Sequence, residues 1–120
     1  VQTCALPIWW GTTVSTTNFP YTQTIYIDSS SNTLTRIALF WLMRNSLSGT
    51  HSSATPSVGT FSNLNLQIIG PNGNTVASST TTYSNYEIVQ FVPTATGYYT
   101  IKVTRTSGNS ELENIGIAVY

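Results

Sequence analysis

Gly97-Tyr98-Tyr99-Thr100-Ile101-Lys102-Val103-Thr104-Arg105 decides the class of fold. Tyr99, Ile101 and Val103 fall on one side of an extended chain, and Tyr98, Thr100, Lys102 and Thr104 on the other. Alternation of β-branched and aromatic residues with polar ones marks a strand with one face in a core and one in water. The pattern continues on both sides. Residues 61–69 put Leu64, Leu66 and Ile68 on one face, and Gly70-Pro71-Asn72-Gly73 follows, with Pro second and Gly fourth as a tight turn wants. Residues 74–78 then return as the partner strand. Downstream, Ser107-Gly108-Asn109 turns the chain into a last strand whose inward face is Ile115, Ile117 and Val119.

Further strands are expected at residues 12–17 (an edge strand), 22–27 and 87–92. Residues 34–44 are the most apolar stretch, expected as a strand apolar on both faces. Residues 45–60, with His51 and Pro56, read as a long polar loop and residues 79–84 as a second one. Sustained helical periodicity with caps is absent. About eight strands separated by turn signals predict an all-β fold: a two-sheet antiparallel β-sandwich, jelly-roll-like.

Composition points outside the cell. The chain has 120 residues with four Lys/Arg and four Asp/Glu, a charged fraction of 7% against about 25% in ordinary domains. That leaves no basic patch for a nucleic-acid backbone. No apolar run is long enough to span a membrane as a helix. Ser and Thr supply 36 residues and Asn ten, yet three Trp, seven Tyr and four Phe at strand spacing separate the chain from a disordered stalk. A neutral, Thr-rich, Lys-poor surface suggests a secreted or cell-surface protein.

Residues 1–8, Val-Gln-Thr-Cys-Ala-Leu-Pro-Ile, fit nothing downstream. They resemble the translation of a sequencing-library adapter, GTT CAG ACG TGT GCT CTT CCG ATC, whose next base, T, opens the Trp codon at Trp9. The expected domain is therefore residues 9–120, a fragment of a longer precursor, and the adapter reading removes Cys4, the single cysteine.

Chemistry is sparse. A Ser–His–Asp triad needs three groups in mutual reach, and the chain has one His, His51, and one Asp, Asp28. Glu111 and Glu113 read as solubilising charges on an exposed strand edge. Trp9, Trp10, Tyr21, Tyr26, Tyr83, Tyr86, Tyr98 and Tyr99 are candidates for a sugar or peptide platform, with core and cross-strand packing as the competing use; Trp41 is expected in the core. The chain is expected to be no enzyme by itself.

In order along the chain stand Arg36-Ile37-Ala38-Leu39-Phe40-Trp41, Asn63-Leu64-Asn65-Leu66, Pro71-Asn72-Gly73-Asn74, Ser84-Asn85-Tyr86-Glu87-Ile88-Val89, Gly97-Tyr98-Tyr99-Thr100-Ile101-Lys102-Val103 and Ile117-Ala118-Val119. This series resembles the C-terminal, pre-peptidase C-terminal-like β-sandwich of secreted subtilisin-like serine proteases. The resemblance runs from about Thr22 to Tyr120. It implies a non-catalytic accessory domain that stabilises a preceding catalytic domain or attaches it to a protein substrate or cell-surface component. It also implies Ca²⁺ as the possible cofactor, with Asn63, Asn65 and Glu87 as candidate ligands. Asn63 and Asn65 stand where the family pattern N-D-L-D-L has Asp, which lowers the charge calcium prefers. Two alternatives remain: a module or subunit of an extracellular filament, surface layer or adhesin, and a carbohydrate-binding module.

Overall fold

The computed structural model describes residues 8–42, 45–48, 55–58, 62–108 and 112–120. Two four-stranded antiparallel sheets pack face to face. The first runs β1 (Ile8–Ser15), β10 (Leu112–Val119), β3 (Thr35–Trp41), β8 (Tyr86–Phe91). The second runs β2 (Tyr21–Ile27), β9 (Gly97–Ser107), β6 (Asn63–Ile69), β7 (Thr75–Ser79). Between β3 and β6 the chain forms a separate two-stranded ribbon, β4 (Asn45–Ser48) with β5 (Thr55–Val58).

With the ribbon set aside, the first sandwich strand pairs with the eighth, the second with the seventh, the third with the sixth and the fourth with the fifth. A long hairpin rolled so that its successive pairs alternate between two sheets gives this order, which is that of a jelly roll. The expected fold class is therefore observed. The edge strand foreseen at residues 12–17 is β1, shifted toward the N-terminus to begin at Ile8. The loop foreseen at residues 45–60 instead carries the β4–β5 ribbon. Pro56 lies within β5, where a proline is tolerated because both strands of a two-stranded ribbon are edges. His51 lies outside the described residues, as do Cys4 and Glu111.

The core follows from the alternation. Ile37, Leu39, Trp41, Val89, Ile115 and Ile117 of the first sheet meet Leu64, Leu66, Ile68, Tyr99, Ile101 and Val103 of the second. Burying each such side chain favours the folded state by about 1.5–3 kcal/mol. Trp41 is buried, and its indole N–H donates to the Ser62 carbonyl at 2.9 Å, so its one polar atom is satisfied. Tyr99 is likewise buried. Its hydroxyl donates to the Ala95 carbonyl at 2.6 Å, a tyrosine corner that fixes the entry into β9.

The turn at residues 70–73 forms as read: the Gly73 N–H donates to the Gly70 carbonyl at 3.0 Å. Gly73 has φ +85°, a conformation glycine adopts without steric cost. At the β2–β3 connection Asp28 accepts from the Ser30 N–H at 2.9 Å, and Asn32 takes the left-handed conformation at φ 50°.

Candidate functional site

Residues paired across a sheet share a face, so the register gives the make-up of each outer surface. On the first sheet one row is Trp9, Ala118, Ala38 and Ile88, and the next is Gly11, Gly116, Phe40 and Tyr86. None of the eight is charged, and the Tyr86 hydroxyl and the Trp9 indole N–H are the only polar side-chain groups among them. Trp9 is 65% exposed, Tyr86 56%, Ile88 50% and Phe40 37%, so this apolar surface has no covering layer within the described residues. Within residues 34–44, Ile37–Trp41 is thus apolar on both faces, as read, with Ile37, Leu39 and Trp41 turned into the core; residues 43 and 44 lie outside the described residues.

The rows have a built relief. The Phe40 ring lies over Gly116: a Cβ at that glycine would sit 2.1 Å from the ring's Cζ. An aromatic covering a glycine on the neighbouring strand compensates for the side chain the glycine lacks. The Trp9 ring then meets Phe40 edge-on, with centroids 5.8 Å apart and planes at 75°. Exposed apolar area arranged this way marks an interaction surface.

A second feature lies at the seam where the chain crosses from β7, an edge of the second sheet, to β8, an edge of the first. An open groove of about 470 Å³ is lined there by Ser79, Thr81, Tyr83, Ser84, Tyr86 and Glu87, among others. Glu87 is 1% exposed. Its Oε2 accepts from the Ser79 hydroxyl, and its Oε1 from Thr81 Oγ1 at 2.7 Å. Ser84 Oγ stands 2.6 Å from Thr81 Oγ1 and 2.8 Å from the Tyr86 carbonyl oxygen. Asn85 ties the loop to β3: its Nδ2 donates to the Trp41 carbonyl at 3.1 Å, and its own carbonyl accepts from the Trp41 N–H at 3.0 Å. Tyr83, in the same connection, is 92% exposed.

The three candidate calcium ligands do not converge. Asn63 and Asn65 alternate with buried Leu64 and Leu66 and so face outward from the second sheet, whereas Glu87 faces inward from the first. The Oδ1 atoms of Asn63 and Asn65 are buried without a hydrogen-bond partner, which leaves two neutral acceptors. Calcium takes six to eight oxygens and favours carboxylates, and the Glu87 oxygens are held by Ser79 and Thr81. These residues do not fit one calcium ion. No group of three or more His, Cys, Asp or Glu that could hold a metal occurs among the described residues.

Glu113 corrects another expectation. It lies on β10, a central strand between β1 and β3, and is 2% exposed rather than an edge charge. Its Oε1 accepts from Arg105 Nε at 3.2 Å and from the Ser62 hydroxyl. The alternation that turns Ile115 and Ile117 inward turns Glu113 inward too. Glu87 and Glu113 lie two strands apart across the sheet and four residues out of step along it. That separation is about 16 Å at ordinary strand spacings, beyond the 5–9.5 Å or so of a glycosidase carboxylate pair.

The aromatic candidates divide among four environments, Tyr83 standing exposed in the β7–β8 connection. Tyr99 is buried, and Trp10 and Tyr21 pack against the core. Trp9 and Tyr86 lie on the outer face of the first sheet. Tyr26 and Tyr98 form a T-shaped pair on the second, centroids 5.3 Å apart. They make no single platform. Phe40 and Gly116 had no functional reading in the sequence; a glycine inside an apolar strand was the available signal. Tyr83 was read only as one of the eight aromatic candidates, within the polar loop at residues 79–84.

No protein-family model matches the chain, and no curated protein matches it.

Proposed function

We propose that this chain is a non-catalytic accessory domain of a secreted subtilisin-like serine protease, and that it lies against the preceding catalytic domain through the outer face of its first sheet. One observation carries the reading: two adjacent rows of eight uncharged residues leave Trp9, Phe40, Tyr86 and Ile88 in water. A sheet apolar on both faces is ordinarily covered on both, and Trp9 stands on the first strand, next to whatever precedes it. The ordered motifs from Arg36 to Val119 supply the family.

The complete open reading frame tests this. It is expected to encode a protease domain with a G-T-S-M-A-type serine motif upstream of Trp9. In that protein, Trp9→Ser with Phe40→Ser is expected to shorten the half-life of protease activity on heating. A reading frame without a protease domain overturns the proposal, as does a double variant with unchanged half-life. Tandem copies of the domain would favour the filament or surface-layer reading, with the same face meeting a second copy.

A further inference from the structure

We propose that the groove between the end of β7 and the start of β8 is a binding site for a neutral, hydroxyl-rich glycan chain. It adjoins the docking face at Tyr86 and Ile88, and its polar cluster and Tyr83 belong to the β7–β8 connection alone. The argument begins with protons. Ser79 and Thr81 each own one hydroxyl proton, and each gives it to Glu87. Ser84 has one proton for two acceptors in reach, Thr81 Oγ1 and the Tyr86 carbonyl, and gives it to one of them. All three hydroxyl protons are engaged inside the cluster, so what it turns toward the groove is oxygen lone pairs. The cluster thus calls for a ligand with donors, while the hydroxyls of Thr82, Tyr83 and Tyr86 in the same lining can both donate and accept.

The lining narrows the class of donor. It contains no Lys, Arg or His, so phosphate, sulfate and carboxylate ligands find no counter-charge. The lone carboxylate already accepts two hydrogen bonds and lies 1% exposed at the floor, a poor partner for a cation in the groove. Tyr83 and Tyr86 flank the cluster, 92% and 56% exposed, and offer ring surface with a polar tip. A pyranose unit presents the complement: several O–H donors around its rim and a C–H face for an aromatic ring.

The loop is also prepared in advance. Hydrogen bonds hold Ser79, Thr81, Ser84 and Asn85, on either side of Tyr83 in the chain, so little ordering remains for binding. Residues 79–86 read Ser-Thr-Thr-Thr-Tyr-Ser-Asn-Tyr, the mixture of rigid tyrosines and short polar side chains that recurs in recognition loops. The volume of about 470 Å³ lies within the range of small-ligand sites, and the groove's open form suits an internal unit of a chain.

Calorimetric titration of the whole chain with short neutral oligosaccharides of glucose, xylose, mannose and N-acetylglucosamine tests the proposal. One glycan type is expected to bind, with an affinity that persists at about 1 M salt, where screening acts over roughly 3 Å. Tyr83→Ala, at a fully exposed position, is expected to weaken binding about tenfold. Tyr98→Ala, on the other sheet, is expected to leave it unchanged. Absence of binding to every neutral glycan overturns the proposal, and so does binding abolished by salt or unaffected by Tyr83→Ala. Trp9 and Phe40 are intact in both variants, so any of these failures leaves the docking proposal standing.

Discussion

The outer faces of the two sheets invite comparison because they are built on the same plan and filled oppositely. On the first sheet the two central rows are Trp9, Ala118, Ala38, Ile88 and Gly11, Gly116, Phe40, Tyr86. On the second they are Thr22, Lys102, Gln67, Ser78 and Thr24, Thr100, Ile69, Thr75. The buried residues of both inner faces are apolar, except for Thr35, Glu87 and Glu113 on the first. One outer face is therefore finished mainly with hydroxyls and amides, with Ile69 and Lys102 among them and the Tyr26–Tyr98 pair in the next row, and the other with aromatics over glycine and alanine. Folding alone calls for neither the exposed Trp9 nor the glycine bed beneath Phe40.

The comparison breaks most visibly at Gly116. Gly116→Val forces branched carbons into the space of the Phe40 ring, and urea unfolding is expected to show a loss of about 3 kcal/mol, the upper end of overpacking. Adding Phe40→Ala is expected to recover much of it. Thr100→Val, in a central row of the second sheet, is expected to change stability by no more than about 0.5 kcal/mol. A Gly116→Val domain as stable as the parent would mean the relief of the first face is loosely held.

At the seam between the faces, Glu87→Ala leaves the Ser79 and Thr81 hydroxyls without their acceptor. About 2 kcal/mol should be lost in the same unfolding assay, and hydrogen exchange of amides in residues 79–85 should accelerate. A smaller effect belongs to the aromatic pairs. Trp9→Ala is expected to lower stability by about 1 kcal/mol while reducing binding of a hydrophobic dye. A double-mutant cycle on Tyr26 and Tyr98 is expected to give a coupling of about 0.5–1.5 kcal/mol. If Trp9→Ala left dye binding unchanged, the two faces would be equivalent toward apolar ligands.

The smallest effect concerns Asp28, which closes the end of the sandwich by polar means. The Ser30 backbone N–H holds its carboxyl below the usual carboxylate range, with Ser30 and Thr96 hydroxyls assisting. Its pKa is thus lower folded than unfolded. The stabilisation is present above the unfolded pKa and disappears as pH falls through the folded one. Asp28 is exposed, so the gain is slight. The difference in urea midpoint between the parent and Asp28→Asn is expected to shrink from pH 6 to pH 2 or so; a difference constant with pH would count against the N–H contact.

The sequence alone determined the strands and their inward faces. Alternation at 97–105 and 61–69, the Pro71–Gly73 turn and the Asp28–Asn32 turn are local features, fixed by side-chain period and backbone preference. It also determined that the outward side of β3 would be apolar, because Ala38 and Phe40 stand between Ile37, Leu39 and Trp41. Tertiary structure decided what those positions meet. Glu113 reads as an edge charge until β10 is seated between β1 and β3, where the same alternation directs it inward to Arg105. Asn63, Asn65 and Glu87 read as one ligand set until the roll of the chain places them on opposite sides of the second sheet. Phe40 finds Gly116, and Glu87 finds Ser79 and Thr81, through strand order and register. Period two states which way a side chain points. Only long-range pairing states which neighbour it points at, and the binding surfaces proposed for this domain are made of neighbours.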